Sequence, residues 1–175
     1  YQSNNPDFDS TFVMNSWNPG NVWCDRRGNR QQELALSSGN GLYFDTTGGS
    51  HGDLASYGNY TLLCSNANDM EISRLTSWDI FTEGKKLWDS FSQNGSFDPI
   101  NSNTKEPLGT DDIYPAGALS AKTNLNAGET KEITFLLTWY MPHYPDVKGK
   151  DISVYYTNFF QSSQEVARYA LTHKD

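Results

Sequence analysis

The sequence predicts a mostly β chain, an antiparallel β-sandwich with one or two short helices, and three observations carry that prediction. Turn formers such as Asn-Pro, Asn-Gly and Gly-Gly punctuate the chain, and the apolar pieces between them are short. Several of those pieces alternate at period two, as strands with one buried face do, whereas helical spacing is confined to two stretches. Hydrophobic content is 36% but aromatic content is 14%, so the core is built on large rings, each burying much area. A chain of 175 residues is the size of one domain. It reads as a single sandwich domain over 1–175, or the C-terminal portion of one, with no internal repeat or linker.

The first forty residues carry many turn formers around Thr11-Phe12-Val13-Met14, and predict one or two short strands between long loops. Asn40-Gly41 before Leu42-Tyr43-Phe44 is a hairpin signal. Thr46 to Gly58, with Gly48-Gly49 and Gly52, predicts a surface loop. Strands are expected over 59–65 and 70–78; in the second, Ile72, Arg74 and Thr76 alternate with Glu71, Ser73, Leu75 and Ser77.

Between Glu83 and Asn94 the apolar residues Leu87, Trp88 and Phe91 fall at helical spacing, with Gly95 just past them, which predicts a short helix. Residues 97–112 read as a polar loop. Two strands, 116–123 and 129–141, are then expected to form an antiparallel hairpin through Asn124–Gly128. Phe135-Leu136-Leu137-Thr138-Trp139 is too uniformly apolar for a strand with one wet face and is expected deep between two sheets, ended by Pro142 and Pro145. Residues 152–160 read as a further strand with rings on both faces. The Ser-x-x-Glu spacing of Ser162 to Glu165 is a capping box, and Val166, Tyr169 and Ala170 recur at i, i+3, i+4 in a terminal helix.

The formal charge is −8, and the sequence pI is about 4.7. That balance opposes binding to nucleic acid or anionic membranes, since both need clustered Lys and Arg. No apolar run approaches the roughly eighteen residues that span a bilayer, and the first residues lack the pattern of a signal peptide. Abundant Asn, Ser, Thr and Gly with 19% charged residues lean toward an extracytoplasmic enzyme. Cys24 and Cys64 are enough for one disulfide, and the sequence leaves their pairing open. Asn59 and Asn94 head Asn-x-Ser/Thr sequons.

General acid/base work by carboxyls needs a pair held close together, one ionised and one protonated. Asp111-Asp112 and Glu129 with Glu132 can be nominated, but acidic residues in turns and on strand faces ordinarily solvate a surface. His51, His143 and His173 have no metal spacing among them, and neither cysteine has a Cys-x-x-Cys partner. No metal site is predicted; a structural calcium is harder to exclude than zinc, because a loop such as Asn66-Ala67-Asn68-Asp69 supplies oxygens, but the EF-hand pattern is absent. Nucleotide-binding loops and the serine-hydrolase elbow are absent from the sequence.

A specific resemblance rests on Leu136-Leu137-Thr138-Trp139-Tyr140-Met141-Pro142, on Tyr155-Tyr156-Thr157-Asn158-Phe159-Phe160 and on Tyr169-Ala170-Leu171. It continues more loosely through Tyr60–Leu63, Trp78-Asp79, Leu87–Phe91 with Gly95, and Pro115–Leu119, covering roughly residues 59 to 171. These segments resemble the end of the N-terminal, supersandwich-like β-sandwich domain of glycoside hydrolase family 116, the family of bacterial β-glucosidases and non-lysosomal glucosylceramidase (bile acid β-glucosidase). Several members have an acidic residue where this chain has Tyr140, which leaves the subfamily open.

The resemblance implies a parent that hydrolyses a β-glucoside or glycolipid with retention and without a redox or organic cofactor. Its catalytic glutamate and aspartate would belong to an (α/α)6 domain following residue 175, so no residue here inherits a catalytic role. The terminal helix would begin the crossing to that partner domain. Tyr155, Tyr156, Phe159 and Phe160 cannot all enter one core at period two, so some are expected to face it.

Two other functions stay open on the sequence. One is a stand-alone carbohydrate-binding sandwich in which Trp17 and Trp23 stack on sugars, with Trp78, Trp88 and Trp139 in the core. The other is a surface sandwich with no enzyme link.

Overall fold

A computed structural model of the chain describes residues 13–15, 29–46, 58–65, 70–97, 115–145 and 150–174. The strands are β1 (Val13–Asn15), β2 (Asn29–Leu36), β3 (Gly39–Thr46), β4 (Asn59–Ser65), β5 (Met70–Asp79), β6 (Pro115–Thr123), β7 (Phe135–Tyr140), β8 (His143–Pro145) and β9 (Asp151–Ser153). The α-helices are α1 (Gly84–Asn94) and α2 (Ser163–Thr172). One sheet has the order β1-β6-β5, a second β2-β3-β4-β7, and β8-β9 form a small ribbon. Every described pairing is antiparallel.

The two larger sheets pack face to face, as the sequence predicts. Leu42, Phe44, Leu62, Cys64 and Leu119 fill the space between them, with Tyr60, Met70, Ile72 and Ala121 packed around. A second core lies on the other face of the three-stranded sheet, where α1 covers it. Leu75, Trp78, Leu87, Phe97, Ala116 and Ala118 are buried there, against Ile80, Trp88 and Phe91. Strand β5 serves both cores because its side chains alternate. A register shift between Leu75 and Trp78 puts these two residues, three apart, into the same core.

Helix α1 starts and stops where the spacing predicts. Glu83 is its N-cap position and its carboxylate accepts from Asp79 N at 2.8 Å, while Asp79 Oδ1 accepts from Phe81 N and Thr82 N. Gly95 ends it at φ 69, its N–H donating to Phe91 O at 2.7 Å. That backbone conformation is one that glycine adopts without a Cβ penalty.

Several expectations are corrected. The β2–β3 turn is at Ser37-Ser38, and Asn40-Gly41 lie inside β3. Gly41 is needed there for a different reason: a Cβ on it would strike the Leu62 carbonyl of β4. The segment 124–128 is no hairpin loop, because β6 has β1 and β5 on its two edges and β7 pairs with β4 in the other sheet. Gly128 does take a positive φ of 81, in a turn where Glu129 N donates to Asn126 O, and β7 begins only at Phe135.

Residues 152–160 are not one strand. After β9 the chain forms a 3-10 turn over Tyr155–Asn158. Its polar residues bond back to carbonyls three positions earlier: Thr157 Oγ1 to Val154 O at 2.6 Å and Asn158 Nδ2 to Tyr155 O at 2.9 Å. In the terminal helix, the buried residues are Ser163 and Ala167, whereas Tyr169 is exposed. Small side chains let α2 sit close on β4 and β7.

Candidate functional site

The surface that the sequence singles out is the chain from β7 to α2. Strand β7 pairs with β4 in the register Tyr60↔Trp139, Thr61↔Thr138, Leu62↔Leu137, Leu63↔Leu136, Cys64↔Phe135. Alternation therefore splits it into two rows. Leu136, Thr138 and Tyr140 share a face with Thr61 and Leu63, both fully buried. There α2 is pegged to the sheet: Thr61 Oγ1 and Ser163 Oγ share a 2.8 Å hydrogen bond, Thr138 Oγ1 donates to Ser163 O at 2.8 Å, and Ser163 N donates to Asn59 Oδ1 at 2.7 Å. The capping box predicted for α2 is present, with Glu165 N donating to Ser162 Oγ and Gln161 N to the Glu165 carboxylate.

The other row of β7 corrects the expectation that this strand lies deep between sheets. Phe135, Leu137 and Trp139 are 36%, 43% and 56% exposed. The physical reason is the offset of the sheets: β5 lies over β2 and β3, and β6 over β3 and β4. Strand β7 is the edge of its sheet and overhangs. Trp139 is thus not a core ring, unlike Trp78, and Trp88 is partly buried against the α1 core.

The aromatic corner after β9 divides at helical rather than strand spacing. Tyr155 and Phe159 point outward, 76% and 63% exposed, with their rings edge to face at 5.3 Å. Tyr156 and Phe160 are half-buried and serve the fold. The Tyr156 hydroxyl accepts from Met141 N at 2.6 Å and donates to Met141 O at 2.9 Å, closing the end of β7, and its ring meets Tyr140 edge to face. Phe160 packs on Tyr169, which stacks on His173.

Of the nominated carboxylates, Glu129 and Glu132 are occupied locally. Glu129 is held below the usual glutamate range, first by the backbone N–H of Asn126. Glu132 is held down by Lys174, whose Nζ lies at 2.6 Å. A general acid on a glycoside needs the opposite shift. His143 pairs with Asp151 across β8 and β9 at 2.6 Å. Among the described residues no group of three or more His, Cys, Asp or Glu could hold a metal. Cys64 is a free, buried thiol near Met70 Sδ, and burial pushes its pKa up. No described helix is long and apolar enough to cross a membrane. Trp17, Trp23, Cys24, His51, Asp111-Asp112 and the 66–69 loop lie outside the described residues.

The exposed row of β7 is the feature that reading the residues missed. Its signal was present, since an uncharged strand with two apolar faces needs cover on both, but the sequence does not say whether a sheet of the same domain provides it.

A family model described as "beta-glucosidase 2, glycosyl-hydrolase family 116 N-term" matches residues 3–175. No curated protein gives a significant match.

Proposed function

Because the chain belongs to the family of glycosyl-hydrolase family 116 N-terminal domains, we propose that it is the non-catalytic sandwich domain of a retaining β-glucosidase or glucosylceramidase, and that it supports a catalytic helical domain of the same polypeptide. The observation that carries the reading is the match of an N-terminal-domain family over nearly the whole chain. Two local features support it. Of the carboxylates nominated from the sequence, Glu129 and Glu132 are stabilised in their ionised forms by local partners. Tyr155 and Phe159 present a paired aromatic surface suited to a partner domain. The reading calls for no redox or organic cofactor, and its substrate is a β-glucoside or glycolipid held by the parent protein.

The test is hydrolysis of an aryl β-glucoside by the parent polypeptide and by residues 1–175. Activity in the parent alone is expected. Activity in the 175-residue chain, or none in the parent, overturns the reading.

A further inference from the structure

The two long edges of the sandwich are built in opposite ways. On one side β2 and β5 carry Glu33 and Arg74, which close the gap between the sheets with a 3.0 Å ion pair. On the other side β7 presents Phe135, Leu137 and Trp139 to the gap, in line with core residues Cys64 and Leu62 and with Tyr60 packed against that core. Ile133, at the same parity just before the strand, is 36% exposed. Among the described residues, only the three-residue β1 lies beyond β6 on that side. Natural edge strands are blunted by charges, prolines or shortness, because an exposed apolar edge invites pairing with another chain. Phe135–Tyr140 has six residues, no charge and no proline.

We infer that the row Ile133, Phe135, Leu137 and Trp139 is the surface on which the catalytic helical domain docks; the inference rests on the function proposed above. The course of the chain selects that occupant. Helix α2 begins at the level of Thr138, where Ser163 is pegged, and runs along the sheet toward Gly39, beside which Leu171 packs. Lys174 then bonds Glu132 and Thr134 at 2.6 and 2.7 Å, at the start of β7. A domain joined after α2 therefore starts next to Ile133 and Phe135 and reaches the row at high effective concentration. A second copy has no such tether, and each copy brings a formal charge of −8.

The experiment uses the parent polypeptide with the photo-reactive substitution Trp139→p-benzoylphenylalanine, and Phe81→p-benzoylphenylalanine as control, since Phe81 is 72% exposed on the α1 side. Irradiation is expected to link position 139, and not 81, to a peptide of the same polypeptide C-terminal to residue 175. Linkage of 139 to another molecule, or to nothing, overturns the inference. Hydroxyl-radical footprinting of the unmodified parent guards against a misfolded variant. Trp139 is expected to be oxidised several-fold more slowly, relative to its intrinsic reactivity, than Phe81, and equal rates overturn the inference. Aryl β-glucoside hydrolysis by the same samples separates the two claims: an active parent with an unprotected row retains the function and loses the docking surface, and an inactive parent with a linked row does the reverse.

Discussion

The outer and inner faces of β7 are finished in opposite ways. The outer face is complete within this chain: Leu63 is fully buried beneath α2, and three hydrogen bonds converge on Ser163. The inner face carries residues just as apolar and leaves them 36% to 56% exposed. One strand is thus folded on one side and unfinished on the other. Apolar composition alone does not report burial; burial depends on what the topology places opposite the strand.

The largest expected effect tests whether the outer face is a true core. Leu63→Ala, deleting a side chain with no exposed surface, is expected to destabilise by ~2–5 kcal/mol, the usual range for a buried Leu→Ala change. Urea unfolding of the parent, followed by tryptophan fluorescence, measures it. A loss below ~1 kcal/mol, the order of a well-tolerated surface change, would mean that α2 rests loosely on the sheet and that the contrast between the faces is false.

A smaller effect sharpens the same contrast. Thr61→Val and Ser163→Ala each remove one hydroxyl of a buried 2.8 Å pair, and each single change leaves the other group without that partner. Each is expected to cost ~1–3 kcal/mol, with the double variant costing less than the sum. Strict additivity in the double-mutant cycle would show that the pegs do not act on one another.

These particulars show which features were legible. Helix α1 was readable from Leu87, Trp88 and Phe91 closed by Gly95, because its signals are local. Strands β4, β5 and β6 were readable for the same reason. The position of β7 was not, since an apolar strand between two sheets and one covered by a helix on one face and open on the other have the same composition. The 3-10 turn at Tyr155 was hidden behind strand-forming residues, and what decides it is side chains returning to their own backbone, together with the Tyr156 clasp on Met141. The small buried face of α2 escaped because Ala167 and Ser163 carry little hydropathy, while their value lies in letting the helix approach the sheet closely. The resemblance over 59 to 171 located this region without settling any of those points.

The smallest effect concerns the tie that brings the end of α2 to the start of β7. Lys174 holds the Glu132 carboxyl below its ordinary value of 4.5 through a hydrogen bond and charge attraction. A depressed folded pKa contributes stability above the unfolded value, and that contribution disappears as pH falls through the folded value. Glu132→Gln is therefore expected to lower the unfolding midpoint slightly at neutral pH and to converge on the unsubstituted protein in acid. Both side chains are solvent-exposed, so salt at about 0.1 M and above should shrink the difference, the screening length there being ~10 Å. Glu129→Gln serves as the contrast, because Glu129 is held first by the Asn126 backbone N–H and only afterwards by Lys131. Its effect should depend less on salt. If the two variants respond alike to salt, Lys174 does not act on Glu132 through its charge, and the tie at the mouth of β7 is weaker than the geometry indicates.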